Sequence, residues 1–184
     1  MHILNIHERE LRVPLEQVGG LIDSLASTED RLWPRHTWPR MHFDRPLEIG
    51  AYGGHGPIHY RVDAYDPGRS IRFRFTAPRG FRGYHEFEVL SLSEHKTRLR
   101  HCIKMRTHGL ARFSWPLAFE PLHDALIEDA LTTAEASLGL EPTVRPWSSR
   151  VRWLRWILSG GKARAQITPA MRNEAGSVHA TMNG

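Results

Sequence analysis

Three histidines, His85, His101 and His123, combine a reactive side chain with a position that a folded chain would turn inward. His85 and His101 fall on the apolar phase of alternating segments. His123 shares a helical stripe with Phe119, Leu126, Ile127, Ala130, Ala134 and Leu138. A free imidazole titrates near 6.5, so at neutral pH each can act as acid or base, or simply hydrogen-bond a ligand oxygen. The same apolar phase carries Tyr60, Phe73, Phe75, Phe87 and Ile103, and the helical stripe adds Phe119 and Ile127. An apolar hollow with a few convergent polar groups is the usual form of a small-molecule site. These ten residues are therefore the candidate ligand-binding set, with the three histidines as catalytic candidates. The competing reading is that each histidine is a satisfied core residue. A one-residue slip in register would turn His85 and His101 to solvent.

Other chemistry is less well supported. Twelve histidines raise the question of a metal, but no helical segment carries an i, i+4 pair and there is no cysteine pair. His55, His59 and His123 converge only by tertiary accident. The expectation is no metal and no cofactor. His55 sits in Gly53-Gly54-His55-Gly56-Pro57, which reads as a turn of positive-φ residues. No helix follows it, so it is not a phosphate-binding loop. Trp33, Trp38 and Trp115 are readable either as a cavity entrance or as ordinary core. Ser114 reads as a helix cap, and neither Ser70 nor Ser91 lies in a nucleophile elbow.

The elements that must hold these residues follow from periodicity. Ile58 to Ala64, Ile71 to Phe75, Phe87 to Val89 and Leu99 to Met105 each alternate apolar and polar residues. Side chains alternate faces along a strand, so these runs predict a sheet with one dry and one charged face. Asp66-Pro67-Gly68, Pro78-Arg79-Gly80 and Ser93 to Lys96 are the turns between them. The last of these hairpins places His101 opposite Phe87, with His85 one diagonal away, within roughly 7–8 Å. Ile3 to Val13 reads as a first strand and Pro14 to Leu25 as a helix weakened by Gly19-Gly20. Leu47 to Tyr52 reads as a second strand, and Leu32 to Arg45 as a structured loop. A long helix over Leu122 to Leu138 follows the sheet, with Pro121 bending or restarting it. The fold class is α+β, a curved antiparallel sheet closed by a long helix.

Composition bounds the rest. The net charge is +5 and arginine far outnumbers lysine. Arg61, Arg72, Arg74, Arg98, Arg100 and Arg106 occupy outward strand positions beside Asp63, Glu86 and Glu88, so cross-strand pairing accounts for them without nucleic acid. A single cysteine excludes an internal disulfide framework. No segment has the apolar length of a membrane span, and Met1 leads straight into a strand pattern. A cytoplasmic location is expected. Residues 141–159 read as a basic, tryptophan-rich amphipathic helix, with Trp147, Val151, Leu154 and Leu158 on one stripe. That helix either packs on the domain or makes weak contact with a membrane surface through 145–158. Residues 160–184 read as a flexible tail. The oligomeric state is not legible.

The order of elements resembles the helix-grip fold. The stretch from Gly53 to Tyr60, the Tyr65-Asp66-Pro67-Gly68 turn, Ile71 to Phe75, the run ending Phe87-Glu88-Val89 and the helix from Leu122 to Leu138 carry the likeness. They resemble the START-like (SRPBCC) superfamily of polyketide cyclases, lipid-transfer domains and birch-allergen-type proteins, over residues 1 to about 140. The resemblance implies a deep apolar cavity between sheet and terminal helix. It does not imply one reaction, because the superfamily spans carriers, receptors and enzymes. Rieske-type cysteine and histidine pairs are missing from the sequence, which sets the oxygenase branch aside. The expected function is binding or transport of a hydrophobic or aromatic small molecule. The alternative is a cyclase- or dehydratase-like enzyme using a cavity histidine.

Overall fold

The structure is a computed structural model that describes residues 1–162 and Gln166. Strand β1 (His2–Leu11) leads into helix α1 (Leu15–Asp23). Then come β2 (His42–Phe43), β3 (Tyr52–His55), β4 (Ile58–Asp66), β5 (Ser70–Ala77), β6 (Phe81–Ser93) and β7 (Lys96–Thr107). All seven form one antiparallel sheet in the order β1-β7-β6-β5-β4-β3-β2. A short helix α2 (Ala111–Ser114) passes through a π-helical turn (Trp115–Phe119) into the long helix α3 (Glu120–Ser137), and α4 (Ser149–Leu158) follows. The architecture is α+β, with a curved sheet gripping a long helix. Register shifts in the β4–β5 pair near His59 and Val62 add local twist.

The alternation works as the sequence predicts. Tyr60, Val62, Ile71, Phe73, Phe87 and Leu99 are fully buried. The outward arginines pair across strands, Arg74 with Asp63 at 2.6 Å, Arg72 with Glu86 at 2.7 Å and Arg98 with Glu10 at 2.8 Å. The β6–β7 register sets Phe87 opposite His101 and Ile103 opposite His85, which fixes both imidazoles on the inner face.

Several boundaries differ from the sequence reading, each for a local reason. Leu47 to Ala51 is not a strand, and Ala51 N–H donates to the Glu48 carbonyl in a turn. Gly53 and Gly54 belong to strand β3 instead. A Cβ on Gly53 would lie 2.1 Å from the His42 carbonyl oxygen, so this glycine permits the close approach of β2. Gly19 has the same use. A Cβ there would lie 2.3 Å from the Gly68 carbonyl oxygen, where α1 crosses the β4–β5 turn. The helix expected to start at Ser114 begins at Ala111, and no side chain caps it.

Pro121 does not stop the helix. In the π turn the Glu120 N–H reaches back to Trp115, and Pro121 has no N–H to offer Leu117. The carbonyls of Pro116 and Leu117 are thereby left over, and Arg150 of α4 donates to both, at 2.7 and 2.8 Å. Helix α4 is thus tied to the π turn, while Trp147 and Val151 bury against the core. Leu158, which the periodicity put on one stripe with Trp147 and Val151, is 71% exposed, as Trp153, Trp156 and Ile157 are in large part. Most of the segment read as a flexible tail lies outside the described residues. Among the described residues no helix is long and apolar enough to cross a membrane.

Candidate functional site

A cavity of about 480 Å³ lies between the sheet and the helices. Phe75, Phe81, His85, His101 and Ile103 line it from the sheet. Trp115, Phe119, His123, Leu126 and Ile127 line it from the helical side. Trp33 and Trp38 enter from the loop before β2, and His55 from the end of β3. Arg155, Leu158 and Lys162 stand at its α4 end.

Seven of the ten residues expected to contact a ligand therefore line the cavity: Phe75, His85, His101, Ile103, Phe119, His123 and Ile127. Tyr60, Phe73 and Phe87 do not. Each stands behind the wall and fixes an imidazole. Tyr60 and His55 are joined through the hydroxyl and Nδ1 at 3.1 Å. Phe73 packs on His85 with ring centroids 4.9 Å apart, and Phe87 on His101 at 4.7 Å. Alternation identifies the face of a sheet but not the depth of a residue behind a curved wall. Ala130 and Ala134, on the same helical stripe, are fully buried in packed helix, and the space lies nearer the N-terminal half of α3.

The imidazoles form a connected group. His85 Nδ1 and His101 Nε2 share a hydrogen bond of 3.2 Å, and the His101 and His123 ring centroids are 5.0 Å apart. Burial above all, reinforced by neighbouring imidazoles, pushes His85 and His101 well below their usual pKa and lowers His55 to about 3. Burial also lowers His123, against the opposing effect of its hydrogen bond to the Asp124 carboxylate. All four are neutral at pH 7. A neutral His85–His101 pair shares one proton between them. Its outer nitrogens, His85 Nε2 and His101 Nδ1, must then be one donor and one acceptor, and exchanging tautomers reverses them. Both atoms are buried without a partner, as are His123 Nε2 and Trp115 Nε1. Four unmet polar atoms on lining residues each cost about 1–3 kcal/mol unless something in the cavity meets them.

Behind His123 lies a polar ladder that the sequence reading missed. On β1 it is Asn5, His7 and Arg9 that face α3, while Leu4 and Ile6 point outward and are exposed. Asn5 Nδ2 donates to Asp124 at 2.9 Å, and Arg9 pairs with Glu128 at 2.9 Å and with Glu135 at 3.1 Å. His7 meets Asp124 through Nε2 at 3.1 Å and Glu128 through Nδ1 at 2.8 Å. Burial opposes charge on His7, but its bonds to Asp124 and Glu128 outweigh it and raise the pKa to about 9. Burial likewise opposes charge on Asp124, yet donors from His123, His7 and Asn5 hold it well below the usual carboxylate range. The readable signal was the pairing of a polar two-residue rhythm on β1 with Asp124, Glu128 and Glu135 on one side of a helix.

No family model and no curated protein matches this sequence. Solved structures do resemble the fold. A protein from Thermobifida fusca, determined in solution, matches with a TM-score of 0.58 and 16% identity, over 77% of this chain and 97% of that one. Norcoclaurine synthase from Thalictrum flavum, in complex with dopamine and hydroxybenzaldehyde, matches with a TM-score of 0.57 and 12% identity, over 78% and 90%. A conserved protein of unknown function from Enterococcus faecalis matches with a TM-score of 0.56 and 10% identity, over 88% and 87%. The chain has the Bet v 1-like helix-grip fold that these structures share. At these identities the likeness is one of fold.

Proposed function

We propose that this protein binds a hydrophobic small molecule, aromatic at least in part and carrying oxygen substituents, in the cavity between sheet and helix. The observation behind this reading is the pairing of an apolar, tryptophan-rich wall with neutral imidazoles whose outer nitrogens lack partners. A volume of about 480 Å³ is in the range of drug-sized ligand pockets. Apolar surface supplies affinity, and the imidazoles select oxygens by hydrogen bonding. The bound pair in the norcoclaurine synthase complex is a fold-level analogy for ligands of this kind. Titration with 1-anilinonaphthalene-8-sulfonate tests the reading, with Trp33, Trp38 and Trp115 as internal reporters. One molecule per chain, with quenched tryptophan emission, is expected. Ala118→Trp should fill the space and abolish it. Binding of equal strength to the filled variant, or none to the wild type, rejects the proposal.

A second reading follows from the contact of His123 Nδ1 with Asp124 at 3.4 Å. A carboxylate accepting Nδ1–H leaves Nε2 as a base. In a cyclase- or dehydratase-like step, His123 would take a proton from a carbon beside a carbonyl. His123, then an imidazolium, would hand that proton to the departing hydroxyl, which leaves as water, and would return to its neutral form. A variant His123→Gln that binds ligand yet loses turnover separates catalysis from carriage, and equal turnover sinks it.

A further inference from the structure

We propose that His7, His123 and Asp124 form a binding site for a zinc-class divalent transition ion, with Glu128 as the outer carboxylate that orients His7. One ligand atom from each of the three residues lies within 4.8 Å of the other two. His7 Nε2 is 3.1 Å and His123 Nδ1 3.4 Å from the same Asp124 oxygen, Oδ1. Bonds of about 2.0–2.2 Å at a tetrahedral angle leave neighbouring ligand atoms roughly 3.3–3.5 Å apart. Two imidazoles on one such ion have their centroids roughly 5–6 Å apart, and those of His7 and His123 are 5.8 Å apart.

Independent features of the surroundings fit the same ion. A metal-bound histidine donates its other ring nitrogen to a carboxylate or carbonyl, which fixes its tautomer. Glu128 stands 2.8 Å from His7 Nδ1 in that position, and Asn5 braces Asp124. The Asp124 side chain is 41% exposed, which gives an ion a way in and leaves room for a water. Two imidazoles and one carboxylate suit zinc and its neighbours better than calcium or magnesium, and three protein ligands leave one coordination position free.

The same contacts also describe an imidazolium held between two carboxylates. The two states exclude each other, because His7 Nε2 carries either a proton or an ion. The ion has a consequence for the cavity, and this part rests on the ligand-binding reading. With Nδ1 of His123 on the metal, its proton must sit on Nε2. His123 then changes from an acceptor to a donor, and a ligand carbonyl becomes its preferred partner.

The test uses the full chain stripped with chelator and dialysed, titrated with zinc chloride by calorimetry and with cobalt(II) by visible absorption. One equivalent of ion and a cobalt ligand-field band are expected. Glu128→Gln should weaken binding about 10- to 100-fold, and Asp124→Asn at least as much. In nitrogen-15 histidine spectra of the wild type, His7 Nε2 and His123 Nδ1 should shift together on adding zinc, which needs no variant to fold. No binding, binding that survives both substitutions, or shifts confined to other imidazoles overturns the site. The anilinonaphthalene titration is read without metal, so failure of either proposal leaves the other standing.

Discussion

Lowering the pH from neutral to about 5 should destabilise this protein through its interior histidines. His85 and His101 are only 5% and 1% exposed, and burial holds them neutral. The unfolded chain gains a proton on each as the pH passes below 6.5. The folded pKa is the lower one, so the contribution is intact above 6.5 and is lost on acidification. While the folded chain keeps an imidazole neutral, the loss is about 1.4 kcal/mol per pH unit below 6.5. That is about 2 kcal/mol per imidazole at pH 5, or about 4 kcal/mol for the pair. A domain has about 5–15 kcal/mol in all, so the effect is large. His55, lowered to about 3, acts in the same direction. Asp30 and Asp129, raised by burial, act in the opposite one, as does His7, raised to about 9, whose contribution grows as the pH falls toward 6.5 and is complete below it. Carboxylates with lowered pKa, such as Asp63, lose their contribution only below the unfolded value near 3.8, outside this window. Urea unfolding in steps from about pH 6.5 to 5, below the range in which His7 contributes a change, measures the slope. His101→Leu should reduce it by about 1.4 kcal/mol per pH unit. A flat or inverted wild-type profile, or a slope unchanged in the variant, refutes the argument.

Adjacent glycines on α1 should respond with opposite sign. Gly20→Ala gains helix propensity of about 1 kcal/mol, since only the end of the flexible Arg31 side chain is near. Gly19→Ala forces α1 off the Gly68 backbone and should cost about 1–3 kcal/mol net in denaturant midpoints. Arg150→Ala strips donors from the carbonyls of Pro116 and Leu117 and should cost about 1–2 kcal/mol, with faster proteolysis near α4. The outer face of α4 presents Trp153, Trp156 and Ile157 among arginines. If it meets an anionic bilayer, phosphatidylglycerol vesicles should float the full chain and lose it when residues 145–184 are removed. Equal flotation of both chains refutes that contact.

What the sequence reveals here follows the reach of local rules. Alternation placed Tyr60, Phe73, His85, Phe87 and His101 on the inner face, and the hairpin turn near Glu94 gave the register that set His101 against Phe87. Both are short-range matters. Which inward residue lines a void depends on how far the sheet bends, so Tyr60, Phe73 and Phe87 were legible as interior but not as backing. Strand β1 was misleading for a different reason. A strand beside a helix is expected to turn its apolar phase inward, yet Leu4 and Ile6 point out because α3 offers Asp124, Glu128 and Glu135 to the other phase. That choice links residues more than 115 positions apart, beyond any window of sequence. The glycines at 53 and 54 read as turn formers because a sequence shows flexibility and does not show what passes nearby.

The arrangement of polar groups separates two tasks that a core ordinarily merges. Along β1 and α3 the charged groups His7, Arg9, Asp124, Glu128 and Glu135 are all paired, which makes a charged seam. One layer further in, His85, His101, His123 and Trp115 each keep an atom with none. A domain selected only for stability would replace such residues with apolar ones, which fill space at no polar cost. Filling should therefore raise stability and lower binding together. His85→Phe combined with His101→Leu removes both unmet nitrogens at once and orphans neither partner of the 3.2 Å imidazole–imidazole bond, so the double variant should unfold at a higher urea concentration than the wild type near pH 7. It should also bind anilinonaphthalene sulfonate more weakly. A variant that is less stable at that pH would mean the imidazoles are satisfied core residues after all, and that the cavity's polar groups serve the fold.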